Sequence, residues 1–188
     1  MKNIVGWVQR VLALFVAVVV LTVATQPARA DTAAEIRRDV HAALDKLYDR
    51  SSFARVLAET ARGILVFPNV VQAGLVIGGQ YGEGALVKNG RVVAYYNTAG
   101  ASYGLQAGAQ TYGYALFLMS DQALAYLDKS SGWEIGVGPT VVVVDEGMAK
   151  SLTTTTLSED IYAFIFGQKG LMAGIGLHGN KITRVEKY

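Results

Sequence analysis

The chain has no cysteine. That excludes a disulfide scaffold, a thiol nucleophile, an iron–sulfur cluster, a zinc ribbon and an anchor built on a lipidated cysteine. Histidine is scarce, with 2 in 188 residues, His41 and His178. Two isolated histidines make no standard zinc site without carboxylate help, so each reads as a surface or part-buried residue. Proline occurs 3 times and charged residues make up only 17%. The length suits one domain with a short extra segment. What the chain does have is apolar residues, at 52%, and 21 glycines, well above the usual share of about 7%. So much apolar surface argues against wholesale disorder.

The first thirty residues read as an address. Residues 1–10 carry Lys2 and Arg10 and no acid. Residues 11–24 are an unbroken run of apolar or small side chains. Ala28-Arg29-Ala30 then supplies an Ala-x-Ala ending. This is the layout of a secretory signal peptide, with cleavage expected after Ala30. The apolar run is short of the roughly 20 residues a spanning helix needs. The leader takes three basic residues with it, so 14 of the 17 remain against 15 acidic ones, a mature net charge of −1 rather than +2. No global field is left to attract nucleic acid, and any anion site must be a local cluster.

The mature chain has two textures. Residues 31–62 contain neither glycine nor proline, and Ile36, Val40, Leu44, Leu47 and Tyr48 recur at spacings of three and four. That predicts an amphipathic helix over 33–50, opened by the capping box Thr32-x-x-Glu35. A break at Arg50-Ser51-Ser52 and a second, shorter helix ending near Gly63 follow. The remaining glycines, apart from Gly6 of the leader, all fall from Gly63 onward. There the pattern predicts strands at 64–67 (closed by Pro68-Asn69), 73–79, 84–88, 91–97, one or two within 105–118, then 133–137, 140–144, 161–166, 171–177 and 181–186. Asn89-Gly90 is a strong hairpin signal, and Gly179-Asn180 marks a second turn. Residues 120–129 have helical spacing with Ser120 as cap, and 146–160 read as a long loop. Gly74-Leu75-Val76-Ile77-Gly78 is echoed by Gly104-Leu105-Gln106-Ala107-Gly108 and by Gly170-Leu171-Met172-Ala173-Gly174. Glycine inside strands serves tight bends, bulges or close backbone approach. The fold class expected is α+β: a curled, mainly antiparallel sheet or small barrel with the N-terminal helices packed on it.

Few motifs carry chemistry. Gly100-Ala101-Ser102-Tyr103-Gly104 matches G-x-S-x-G, but a nucleophile elbow needs a helix after the serine, and Gly104, Gly108 and Gly113 make a poor one. Gly147-Met148-Ala149-Lys150-Ser151 lacks the glycine that precedes the lysine of a phosphate loop. Gly79, Gly82 and Gly84 have the wrong spacing for a dinucleotide site. The acid pairs Asp145-Glu146 and Glu159-Asp160 lack calcium-loop spacing and read as solvated loop charge. Six tyrosines between Tyr81 and Tyr114 suit core packing or an amphipathic rim.

Several separated stretches, in order, resemble the SYLF domain, a lipid-binding family also catalogued under a fungal actin-binding name. They are residues 62–68, 70–74, 78–84, 95–110, 132–137, 161–164 and 170–174. The likeness spans about residues 53–188. It implies a membrane-lipid partner and, in eukaryotic members, phosphoinositide recognition through an amphipathic helix and basic residues. It implies actin binding in some members, and secreted or lipid-anchored envelope proteins among bacterial ones. The absent cysteine separates this chain from the lipid-anchored variant, and an exported bacterial protein meets no actin.

The expectation is therefore a signal peptide (1–30), an amphipathic helix (31–52) and a SYLF-like domain (53–188). The expected function is an exported, periplasmic or secreted, non-catalytic lipid-binding module, with no cofactor or metal and phospholipid as partner. Arg37, Arg38, Lys46 and Arg50 on the first helix, with Arg62, Lys88 and Arg91, are the headgroup candidates. The apolar face of that helix lies either against lipid or against its own domain. A structural or protein-interaction envelope factor is the alternative, and an esterase using Ser102 a third.

Overall fold

The computed structural model describes residues 30–74, 77–101, 108–129, 132–144, 158–169, 177 and 179–188, and the backbone alone at 102, 103 and 170. Asp31 to Tyr188 forms one compact unit. Its elements are α1 (Ala33–Arg50), α2 (Ser52–Thr60), β1 (Gly63–Gly74), β2 (Ile77–Lys88), β3 (Arg91–Tyr103), β4 (Gly108–Leu118), α3 (Asp121–Tyr126), β5 (Trp133–Glu134), β6 (Val141–Val143), β7 (Ile161–Gly170) and β8 (Lys181–Val185). The strands form one curled sheet in the order β5-β8-β3-β2-β1-β4-β7-β6, antiparallel except for the β6–β7 pair. This is the α+β architecture expected.

The helices form where the pattern put them. Thr32 caps α1, and Glu35 returns the bond to the Thr32 backbone. Ser51 ends α1 and caps α2, its hydroxyl accepting from the Ala54 N–H at 3.1 Å. Ser120 caps α3 in the same way. Ile36, Val40, Ala43, Leu44 and Leu47 of α1 are all buried, in one cluster with Ile64, Val66, Ala85, Val87, Ala115 and Phe117 of the sheet. Phe53 of α2 meets Tyr162 edge-on at 6.4 Å between ring centres. The apolar face of α1 is thus taken by its own domain. The opposite, inner face of the sheet holds a second core, with Leu65, Phe67, Tyr112, Tyr114, Leu116, Trp133 and Ile182.

The hairpin at Asn89-Gly90 has positive φ at both residues (49° and 72°), the two-residue turn that Asn-Gly favours, closed by the Lys88–Arg91 pair. Two strand expectations are corrected. Pro68-Asn69 does not end β1; the strand runs on to Gly74 through a bulge, where the register shifts against both neighbours. A bulge is one of the few places a central strand tolerates proline. Residues 73–79 are no separate strand. They hold the end of β1 and the start of β2, with Gly74 opposite Gly78. Two other strands differ in length: 133–137 keeps only Trp133–Glu134, and 161–166 extends to Gly170.

The bulge also explains nearby glycines. A Cβ on Gly84 would collide with the carbonyl oxygen of Val66, one on Gly82 would lie 2.8 Å from that of Asn69, and one on Gly113 2.8 Å from that of Pro68. The kinked backbone of β1 therefore presses on both neighbours, and only residues without a side chain let it approach so closely. The Gly-Leu-x-x-Gly echoes begin or end at one end of the sheet, where Gly74 is opposite both Gly78 and Gly108 and Gly170 is opposite Gln110. The expected cleavage segment, the Lys150-Ser151 motif, Asp145-Glu146, the threonine run at 153–156, most of the strand expected at 171–177, and His178 lie outside the described residues.

Candidate functional site

The helices cover only part of the outer face. Beyond Glu83, toward the glycine-rich end, that face is bare. Register defines one row across it, from β8 to β7: Lys181, Ala99, Tyr81, Val71, Thr111, Lys169. The next outward row is Ala101, Gly79, Ala73 and Ala109. Every one of these residues is exposed. Val71 is 53% exposed, Tyr81 50% and Ile77, one step further, 72%. The outcome is a shallow surface of small residues with three apolar side chains standing on it and a lysine at each end. Five strand spacings separate those lysines, about 24 Å along the sheet.

The border between covered and bare halves is a buried ion cluster. Lys187 Nζ donates to both carboxylate oxygens of Glu83, at 2.8 and 2.9 Å, and to the Asp31 carbonyl at 3.0 Å. The Glu83 side chain is 8% exposed and that of Lys187 12%. Tyr81 Oη donates to Glu83 Oε1 at 3.0 Å, and the Asp31 backbone N–H to Oε2 at 3.0 Å. Burial works to raise the Glu83 pKa. The bonds from Lys187 and Tyr81, the Lys187 charge and the Asp31 N–H outweigh it, and the carboxyl ends below its ordinary range.

Inside, one layer below the glycine-rich end, lies a buried polar stratum. Gln72, Gln80 and Gln110 stand side by side on β1, β2 and β4. Gln110 Nε2 donates to Gln72 Oε1 at 2.8 Å, while Gln80 bonds Asn180 and Tyr112. Burial pushes the Tyr112 phenol up to about 12, against a lowering contact from Asn180. Tyr114, fully buried, donates to Thr98 Oγ1 at 2.7 Å, and its pKa is also raised by burial.

The seven headgroup candidates do not gather into one site. Arg62, Lys88 and Arg91 meet at the end of the sheet opposite the bare surface, where Arg62 lies 3.7 Å from Asp121 and Lys88 packs beside Gly63. Arg37 donates to the Tyr95 hydroxyl at 3.2 Å, and Arg38 pairs with Asp39 at 2.8 Å. Lys46 and Arg50 are exposed on the polar side of α1. The bare row itself escapes a reading that stops β1 at Pro68, because Val71 and Ala73 then belong to no strand face. Tyr81 was among the tyrosines suited to a rim. The Glu83–Lys187 contact spans 104 residues and leaves no local signal.

Ser102 lies within β3, opposite Gly78, so the strand–turn–helix geometry of a nucleophile elbow is not formed there. Asp160 is engaged by the Ser120 hydroxyl at 3.0 Å. Among the described residues no three His, Cys, Asp or Glu side chains are grouped to hold a metal ion, and no helix is long and apolar enough to cross a membrane.

A curled, mainly antiparallel sheet with α1 and α2 on its outer face and α3 beside its inner core defines an α+β module that is not doubly wound. Residues 99–187 match the family described as Ysc84, Las17-binding protein actin regulator. That match, over just under half of the chain, agrees with the SYLF resemblance of the sequence. The match supports a lipid-binding or protein-interaction module, and the matched family is generally non-catalytic. No curated protein matches the chain.

Proposed function

We propose that this chain is an exported, non-catalytic module that attaches to phospholipid surfaces through the bare outer face of its sheet. The observation behind this reading is the row in which exposed Tyr81 and Val71 stand between Lys169 and Lys181. An apolar strip with an amphipathic tyrosine enters the boundary between headgroups and acyl chains. Lysines at its two ends reach phosphates on either side. Each lysine acts on phosphates within about a Debye length, roughly 8–10 Å, so the two work separately and locally although the mature chain has a net charge of −1. Arg62, Lys88 and Arg91, at the other end of the sheet, are a secondary headgroup site in this reading. The actin regulation in the family's description has no counterpart for an exported protein.

Co-sedimentation with vesicles of phosphatidylethanolamine and phosphatidylglycerol tests the reading. The Val71→Glu, Ile77→Glu variant keeps its stability, because both positions are exposed. Its vesicle-bound fraction should fall at least about fivefold, since charge on an inserting surface costs on the order of 1 kcal/mol or more. Equal sedimentation of variant and parent would remove this face from the function.

A further inference from the structure

We propose that cleavage after Ala30 creates a structural group: the new α-ammonium of Asp31 becomes the second cation of the buried Glu83–Lys187 cluster and fastens the first helix to the sheet. The Asp31 nitrogen already lies 3.0 Å from Glu83 Oε2, and Lys187 Nζ grips the Asp31 carbonyl at 3.0 Å. The first residue of the processed chain is thus held at both ends of its backbone by a buried ion pair. In the unprocessed chain that nitrogen is a neutral amide with one N–H. Hydrolysis of the Ala30–Asp31 bond by a leader peptidase consumes one water. Ala30 keeps the hydroxyl as a carboxylate, and the Asp31 nitrogen, protonated at neutral pH, becomes an ammonium with three donors.

Charge arithmetic favours the processed form. With an amide at Asp31, the cluster holds the Glu83 and Asp31 carboxylates against Lys187, a net of −1. With the ammonium it is neutral. The corner has an excess of negative charge to absorb. The Asp31 carboxyl is raised above its ordinary pKa, first by burial and then by the carboxylates of Glu83, Glu35 and Asp39, with only Lys187 opposing. Glu35 closes the capping box on the Thr32 N–H at 2.8 Å, and Asp39 pairs with Arg38. The amide bond to the carboxylate is charge-assisted on one side only; an ammonium adds a full charge of opposite sign and two further donors in a site largely shielded from water. The compact unit begins at Asp31, the residue that expected cleavage would expose.

The inference is independent of lipid binding. The full chain is produced with its leader in an exporting bacterial host, and the intact mass is read. A start at Asp31 is expected; a start elsewhere overturns the proposal. The α-amino group is then titrated by NMR in this protein. Its pKa should lie at least about one unit above the ordinary 7.7–8.0 and fall back in Glu83→Gln; an ordinary value in the parent overturns the proposal. Nα-acetylation should lower Tm in the parent and leave Glu83→Gln unchanged, and an equal drop in both would also refute it. If Glu83→Gln does not fold, Lys187→Met replaces it. With one cation gone the other matters more, so acetylation should lower Tm further than in the parent, and a smaller drop would refute the latch.

Discussion

Replacing Leu44 by alanine separates two roles for the first helix. Leu44 is 5% exposed and lies in the cluster that joins α1 to β1, β2 and β4. Truncation removes three carbons from a site walled by helix and sheet, where collapse is limited. Loss of transfer energy plus the residual cavity costs about 3 kcal/mol, within the usual 2–5 for such a change. For a domain of this size that lowers Tm by about 6–12 °C. With an m-value of roughly 2 kcal/mol/M it moves the urea midpoint down by about 1.5 M. The assay is urea unfolding followed by circular dichroism, with vesicle co-sedimentation of the folded variant at low temperature. The midpoint should drop while the bound fraction stays at the parental level. On the polar side of the same helix, Lys46→Glu should change stability by no more than about 0.5 kcal/mol. An unchanged midpoint for Leu44→Ala together with lost vesicle binding would show that this face meets lipid, and would refute the packing argument.

Two further outcomes follow from the sheet. Gly84→Ala places a methyl against the Val66 carbonyl in the bulge and should abolish soluble expression or lower Tm by more than 10 °C, while Gly90→Ala, in open space at φ 72°, should cost only about 1 kcal/mol; thermal melts of the two variants decide. Tyr112 ionises near 10 when unfolded and at about 12 when folded, so its contribution to stability is complete below pH 10 and is lost as pH rises from 10 to 12. The urea midpoint should fall across that window, less steeply in Tyr112→Phe, and identical slopes would contradict the burial of this phenol.

The local rules carried the helices and the turns. Thr32, Ser51 and Ser120 each satisfy an amide three residues on, a bond written entirely within one short stretch. Asn89-Gly90 likewise needs no knowledge of the rest of the chain. The misreadings began at Pro68. Proline ordinarily marks the end of a strand, and here it sits in the middle of one, because a bulge needs no ladder donor at that residue. What permits the bulge is the missing side chains of Gly82, Gly84 and Gly113, on two other strands. That compensation is legible only once the register is known. The same holds for the candidate surface. Lys181, Tyr81, Val71 and Lys169 are scattered over the chain and fall into one row through five separate strand pairings. Seven cations chosen for charge alone could not be sorted without that register.

The bulge also decides which part of the sheet is available for binding. Before it, β1 turns Ile64 and Val66 toward α1, and the helix pairs them with Leu44, Val40 and Ile36. After it, the one extra residue keeps Val70 and Gln72 facing inward and leaves Val71 and Ala73 facing out, past the reach of the helix. An unbroken alternation from Ile64 would have sent Val70 outward and Val71 inward. The exposed valine is thus a consequence of the one-residue offset at Pro68-Asn69. Tyr81, opposite Val71 on β2, and Ala99, opposite Tyr81 on β3, complete the surface; Ala99 reaches this register through a one-residue shift of its own strand between Val92 and Ala94. Glu83 and Lys187 stand on the line between the two halves and hold the start of α1 there.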